Sequence, residues 1–179
     1  MRLHNQKGFT LIEVIVVAGI IAVLAGILVP LIFKEIDESK IARASADVRS
    51  ISNAVIILRK DTGQWPVSSS CQSTVTLLTG AGNVPALAGG WNGATPLSFD
   101  LRLNTDDVPC WPNTWKGPYL AAVNADPWGN AYITNADAFV SGANPKPQVW
   151  ILSAGPDGIV QTKVTDMVAS GDDVGLRIQ

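Results

Sequence analysis

The sequence predicts an α+β protein: one long N-terminal helix, apolar throughout its first half and one-sided in its second, packed on a small antiparallel β-sheet. Three observations predict it. Residues Phe9 to Phe33 read FTLIEVIVVAGIIAVLAGILVPLIF, with Glu13 as the only charge. A helical apolar stripe follows it within a few residues. Short runs rich in β-branched and aromatic residues, separated by Gly, Asn and Pro, occupy the C-terminal third.

The segment Phe9 to Phe33 is long enough to cross a bilayer as a helix, for which about 20 apolar residues suffice. Arg2 and Lys7 precede it, so the positive-inside bias keeps the short N-terminus in the cytoplasm and sends everything after Phe33 across the membrane. A cleavable secretory signal fits less well, because its apolar region runs to only about 7 to 15 residues. The Ala44 to Ala46 site, moreover, comes after a charged stretch. Glu13 stands five residues into the apolar run, where a carboxylate is costly and demands a partner.

Beyond the span, Ile41, Ala44, Val48, Ile51, Val55 and Leu58 recur at alternating spacings of three and four, which places them on one helical face. Gly63 supplies the stop. A helix from Phe9 to about Lys60 would measure on the order of 75 to 80 Å at about 1.5 Å per residue. The stripe is short for a coiled coil and suits packing against a sheet. Ala131 to Thr134, Gln148 to Leu152 and Val174 to Ile178 read as the strands, with Ile51, Leu58 and the neighbourhood of Trp150 as core. Between them, residues 63–125 are rich in Ser, Gly, Pro and Asn without a sustained period and read as a loop region. That region holds Cys71 and Cys110, the only two cysteines. Outside the cytoplasm they are expected to close one disulfide; a pair of buried reduced thiols is the other reading.

Composition excludes several functions. The formal net charge is only -2, without a basic stripe, so no nucleic-acid partner is expected. There is no phosphate-cradling Gly motif, and the single histidine is His4. Asp157, Asp166, Asp172 and Asp173 gather in the loop Ala154 to Gly175, where hard oxygen ligands on flexible backbone suit calcium. The spacing is not that of an EF-hand, and by itself it fits a solvated acidic turn equally well.

Lys7-Gly8-Phe9-Thr10-Leu11-Ile12-Glu13 resembles the class III signal of the type IV pilin-like family, which includes type IV pilins and type II secretion pseudopilins. The resemblance implies cleavage by a prepilin peptidase after Gly8 and methylation of the new amine on Phe9. It implies too that Glu13 pairs with the N-terminal ammonium of a neighbouring subunit in a helical homopolymer, neutralising both charges in an apolar core. Pro30 stands where such chains commonly carry a proline, so Gly26 to Pro30 is the expected place of kinking or unwinding on assembly. Loss of residues 1–8 removes Arg2, Lys7 and His4, leaving 11 basic against 15 acidic side chains. The mature chain then has no imidazole, and catalysis is not expected.

Asp126-Pro127-Trp128-Gly129-Asn130, with Gly63-Gln64-Trp65-Pro66, is similar to the major pseudopilins of type II secretion systems. Gly155-Pro156-Asp157-Gly158 and Gly171-Asp172-Asp173 resemble their calcium loop, which implies Asp157, Asp172 and Asp173 as side-chain ligands and Ala154 as a carbonyl ligand. The organisation so implied is a leader at 1–8, a transmembrane and assembly helix at 9–33, its amphipathic half at 34–62, loops at 63–125 and a β-sheet with a calcium loop at 126–179. The implied location is the inner membrane, with the domain in the periplasm. Implied partners are copies of the chain, prepilin peptidase, minor pseudopilins, an inner-membrane assembly platform and, before assembly, lipid. The implied function is that of a structural pseudopilus subunit in export of folded exoproteins. A type IV pilus subunit is the alternative. A membrane-anchored glycan-binding module is a third reading, resting on Trp91, Trp111 and Trp115.

Overall fold

The computed structural model describes residues 8–66, 75–105, 113–144 and 146–178. Cys71, Cys110 and Trp111 lie outside the described residues. Helix α1 spans Leu11–Thr62 and is followed by β1 (Leu77–Thr79), β2 (Pro96–Ser98), the short α2 (Asp100–Leu103), β3 (Ile133–Asn135), a 3-10 turn (Ala136–Phe139), β4 (Trp150–Ser153) and β5 (Val174–Arg177). The chain forms two units, residues 1–39 and residues 40–179.

In the first unit α1 carries Pro30 in its interior without ending there. Proline has no N–H to offer the carbonyl four residues back, which is that of Gly26. Every described side chain from Gly8 to Ser39 is exposed, including Ile15, Ile21, Leu28 and Phe33. This helix is long and apolar enough to cross a membrane.

In the second unit the remaining turns of α1 bury Ala44, Val48, Ile51, Ser52, Ala54, Val55 and Leu58. The expected stripe is therefore the packing face, widened by Ser52 and Ala54. Its first expected member, Ile41, stays 48% exposed. The face packs on Leu78, Phe99, Leu103, Tyr132, Phe139 and Ile151. The Tyr132 hydroxyl adds a polar tie by donating to Asp47 Oδ2 at 2.9 Å, and Arg43 lies 3.7 Å from the same oxygen. Burial, with the Asp47 carboxylate alongside, pushes the Tyr132 phenol far above its ordinary pKa and keeps it a donor.

The sheet has five strands in the order β2-β1-β3-β4-β5. It is mixed rather than purely antiparallel: β1 pairs parallel with β2, while β1-β3, β3-β4 and β4-β5 are antiparallel. Residues 63–125 thus supply two strands and are not only loop. A strand at the sheet's edge tolerates Pro96 because one side of it needs no N–H. Both faces of the sheet are covered. Leu77, Ile133, Trp150 and Leu152 point away from α1 and form a second core with Trp91, Ala154 and Val160. Since adjacent strand residues face opposite sides, it is Ile151 and not Trp150 that meets α1. Trp91 is buried, and its indole N–H donates to the Thr162 carbonyl at 2.8 Å. Its face is therefore not available to stack on a sugar.

Candidate functional site

Two places gather the residues singled out in the sequence. The first is the start of α1. Thr10 precedes the first helical residue, and both its N–H and its hydroxyl donate to Glu13 Oε2 at 2.8 Å. The Glu13 N–H reaches back to Thr10 Oγ1 at 3.4 Å. This is a capping box, in which residues three apart satisfy each other's exposed backbone groups at a helix N-terminus. The sequence reading passed over Thr10, which the pattern Thr-x-x-Glu would have identified. Both bonds fall on one carboxylate oxygen. Around them, Phe9, Val14, Val17, Ala18 and Ile21 line an open apolar groove with Glu13 as its sole charge. Gly8 lies immediately before this cap and is exposed.

The second place is the loop from β4 to β5. Gly155, Gly158 and Gly171 hold φ of +64°, +68° and +66°, so the chain folds back on itself at each end of the loop. Asp173 Oδ2 accepts from the N–H groups of Gln161 at 2.9 Å and Thr162 at 2.6 Å. Asp173 Oδ1 and Asp172 Oδ1 are buried without a hydrogen-bond partner. Burial raises the Asp173 carboxyl above its ordinary pKa, and the charge of Asp172 adds to the rise, while the hydrogen bonds from Thr162 and Gln161 oppose it.

The other expected ligands are placed differently. Asp157 accepts from the Ile159 N–H on Oδ1 and from the Gln161 side-chain amide on Oδ2, each at 2.8 Å. Asp166 is tied into its own turn by the Lys163 N–H and the Ser170 hydroxyl. Ala154 is fully buried beside Gly155, and a Cβ on Gly155 would come within 2.5 Å of the Asp172 carbonyl oxygen. Among the described residues, no three His, Cys, Asp or Glu side chains converge on one point.

Gln161 is a further residue that sequence reasoning missed: it touches Asp157 and Asp173, and its Oε1 accepts from the Asp172 N–H at 3.1 Å. No local pattern marks it. Gly171 is required beside it, because a Cβ there would meet Gln161 Oε1.

Two family models match the chain: the prokaryotic N-terminal methylation motif over residues 3–29, and type II secretion system protein G over residues 101–170. Type II secretion system core protein G of Escherichia coli K12 is 29% identical over 161 residues, covering 89% of this chain and 88% of that protein. Core protein G of Pseudomonas aeruginosa is 29% identical over 133 residues, covering 74% of this chain and 75% of that protein. The toxin coregulated pilin of Vibrio cholerae is 29% identical over 76 residues, or 42% of this chain and 34% of that pilin. No solved structure gives a significant match. A methylation motif at the start of an exposed apolar helix, and a protein G match that takes in β3 and β4, make the chain similar along most of its length to type II secretion core protein G.

Proposed function

We propose that the chain is a structural subunit of a type II secretion pseudopilus, polymerising through α1 to drive folded exoproteins across the outer membrane. One observation carries this reading: Leu11 to Phe33 exposes apolar side chains around a single carboxylate, Glu13, that among the described residues only Thr10 engages. Such a helix fits lipid first and copies of itself afterwards. Prepilin peptidase would cut after Gly8 and methylate Phe9, and the new ammonium would seek the Glu13 carboxylate of a neighbour. The subunit would sit in the inner membrane with its domain in the periplasm, handed to the filament by an assembly platform and minor pseudopilins.

Deleting the gene and assaying secreted enzymes in medium and periplasm, with surface pili counted on the same cells, tests the reading. Exoproteins held in the periplasm with pili intact are the expected result. Lost pili with normal secretion would move the chain to the type IV pilus class, to which the similarity to the toxin coregulated pilin gives distant support.

We further propose that the β4-β5 loop holds calcium. Two buried, unpartnered carboxylate oxygens on adjacent residues repel each other, and an oxygen-preferring cation relieves both penalties. Asp172 and Asp173 would be the side-chain ligands and Ala154 would contribute its carbonyl; Asp157 would join by exchanging its bond to Gln161. Bound calcium supplies only positive charge and coordination there. Calcium is expected to raise the melting temperature of chelator-stripped protein in detergent, by mass action on the native state. An unchanged melting temperature would remove the site.

A further inference from the structure

The Asp126–Asn130 turn lies at the foot of the β4-β5 loop, and its hydrogen bonds run into that loop. Asp126 is 5% exposed and has no spare oxygen. Its Oδ1 accepts from the N–H groups of Trp128 and Asn130 at 2.9 and 2.8 Å, and its Oδ2 accepts from the Ser153 hydroxyl at 2.6 Å. It is therefore a brace and not a ligand. The backbone closes the same turn, with the Asp126 N–H on the Asn130 carbonyl and the Gly129 N–H on the Asp126 carbonyl.

The brace has two outputs, and both reach Gly155. The Ser153 oxygen accepts from the Gly155 N–H at 3.3 Å. The Asn130 side chain donates through Nδ2 to the Gly155 carbonyl at 3.1 Å. Gly155 is thus held at both of its polar groups, in a positive-φ conformation, with its Cα pressed on Asp172. Gly158 packs on the same Asn130 amide: a Cβ there would lie 3.4 Å from Asn130 Oδ1. The arm of the loop against which Asp172 rests is therefore set by a side chain 25 residues earlier in the chain.

We propose that Asn130 is a positioning residue for the divalent cation at Asp172 and Asp173, acting through the Gly155 peptide. This rests on the calcium reading above. Residues that orient metal ligands without touching the metal typically change affinity by about 10- to 100-fold when replaced. Removing the Asn130 amide leaves Gly155 held through its N–H to Ser153 alone, with its carbonyl released, and so loosens the backbone that packs on Asp172.

The test is a calcium titration by isothermal calorimetry on the full-length chain in detergent, with melting temperatures taken in chelator and in saturating calcium. Asn130→Ala is expected to bind calcium about tenfold more weakly, at the low end of that range. Its calcium-dependent rise in melting temperature should shrink, while the melting temperature in chelator changes little. Asn130→Ser, which retains a turn-forming side chain too short to reach Gly155, is expected to behave the same way and stands in if the Ala variant does not fold. Wild-type affinity in a folded variant would overturn the positioning role while leaving the calcium site standing. A wild-type chain that takes up no calcium would overturn both.

Discussion

Glu13→Leu is expected to leave a subunit that is processed, inserted and abundant, yet forms no filament. The substitution makes the span easier to insert, because a carboxylate costs about 2.5 to 3.5 kcal/mol at the centre of a membrane helix on insertion scales, and less near the end where Glu13 stands. What it removes is the one charge that a neighbouring subunit's N-terminal ammonium could meet. Among the described residues Glu13 bonds only with Thr10, and both contacts use one carboxylate oxygen. Thr10→Ala separates the two roles. It deletes the hydroxyl of the cap, worth about 1 kcal/mol at a helix start, and keeps the charge, so filaments should persist. Chemical cross-linking of intact cells reads both variants as ladders of oligomers. A ladder of normal intensity from Glu13→Leu would sink the assembly role.

The second large effect is expected from Leu58→Ala. Leu58 is fully buried where the last turns of α1 meet the sheet, in one cluster with Leu78, Phe99, Tyr132 and Ile151. Truncating a buried leucine leaves a cavity and costs about 2 to 5 kcal/mol. That is a large share of the roughly 5 to 15 kcal/mol that ordinarily holds a domain folded. Its neighbour Ile57 is 48% exposed and serves as the control, since a surface truncation there should fall within about 0.5 kcal/mol. Urea unfolding in detergent, followed by tryptophan emission, should show a much lower midpoint for Leu58→Ala and a nearly unchanged one for Ile57→Ala. Equal midpoints would mean that α1 does not carry the domain's stability.

The helix was the most legible element, because it is long and both halves carry a period or an unbroken apolar run. Strands β3, β4 and β5 were legible too, within a residue or two. The missing strands β1 and β2 are three residues each, Leu77–Thr79 and Pro96–Ser98, too short for alternation to show. Their parallel pairing depends on a connection that no local pattern announces. Trp150 is core as expected, but which face it joins was not legible, because the run Val149 to Leu152 is buried on both sides, which erases the polar-apolar alternation that fixes parity.

Around the acidic loop, Asp172 and Asp173 were visible as members of an acidic cluster, and it was the resemblance to the pseudopilin loop that made them expected ligands. The saturation of Asp157 by Gln161, and the hold of Asn130 on Gly155, were not visible. Both depend on side-chain reach across the folded loop, which neither composition nor periodicity encodes.

The back of the sheet carries one more consequence. Thr162 receives the Trp91 indole N–H on its carbonyl and gives its own N–H to Asp173, so a single peptide unit's neighbours link an aromatic ring to the acidic pair. The emission of Trp91 should accordingly follow the state of that loop. Such a signal would be an optical gauge readable in a cuvette without any label, and Trp91→Phe is expected to diminish its response while the other five tryptophans still emit.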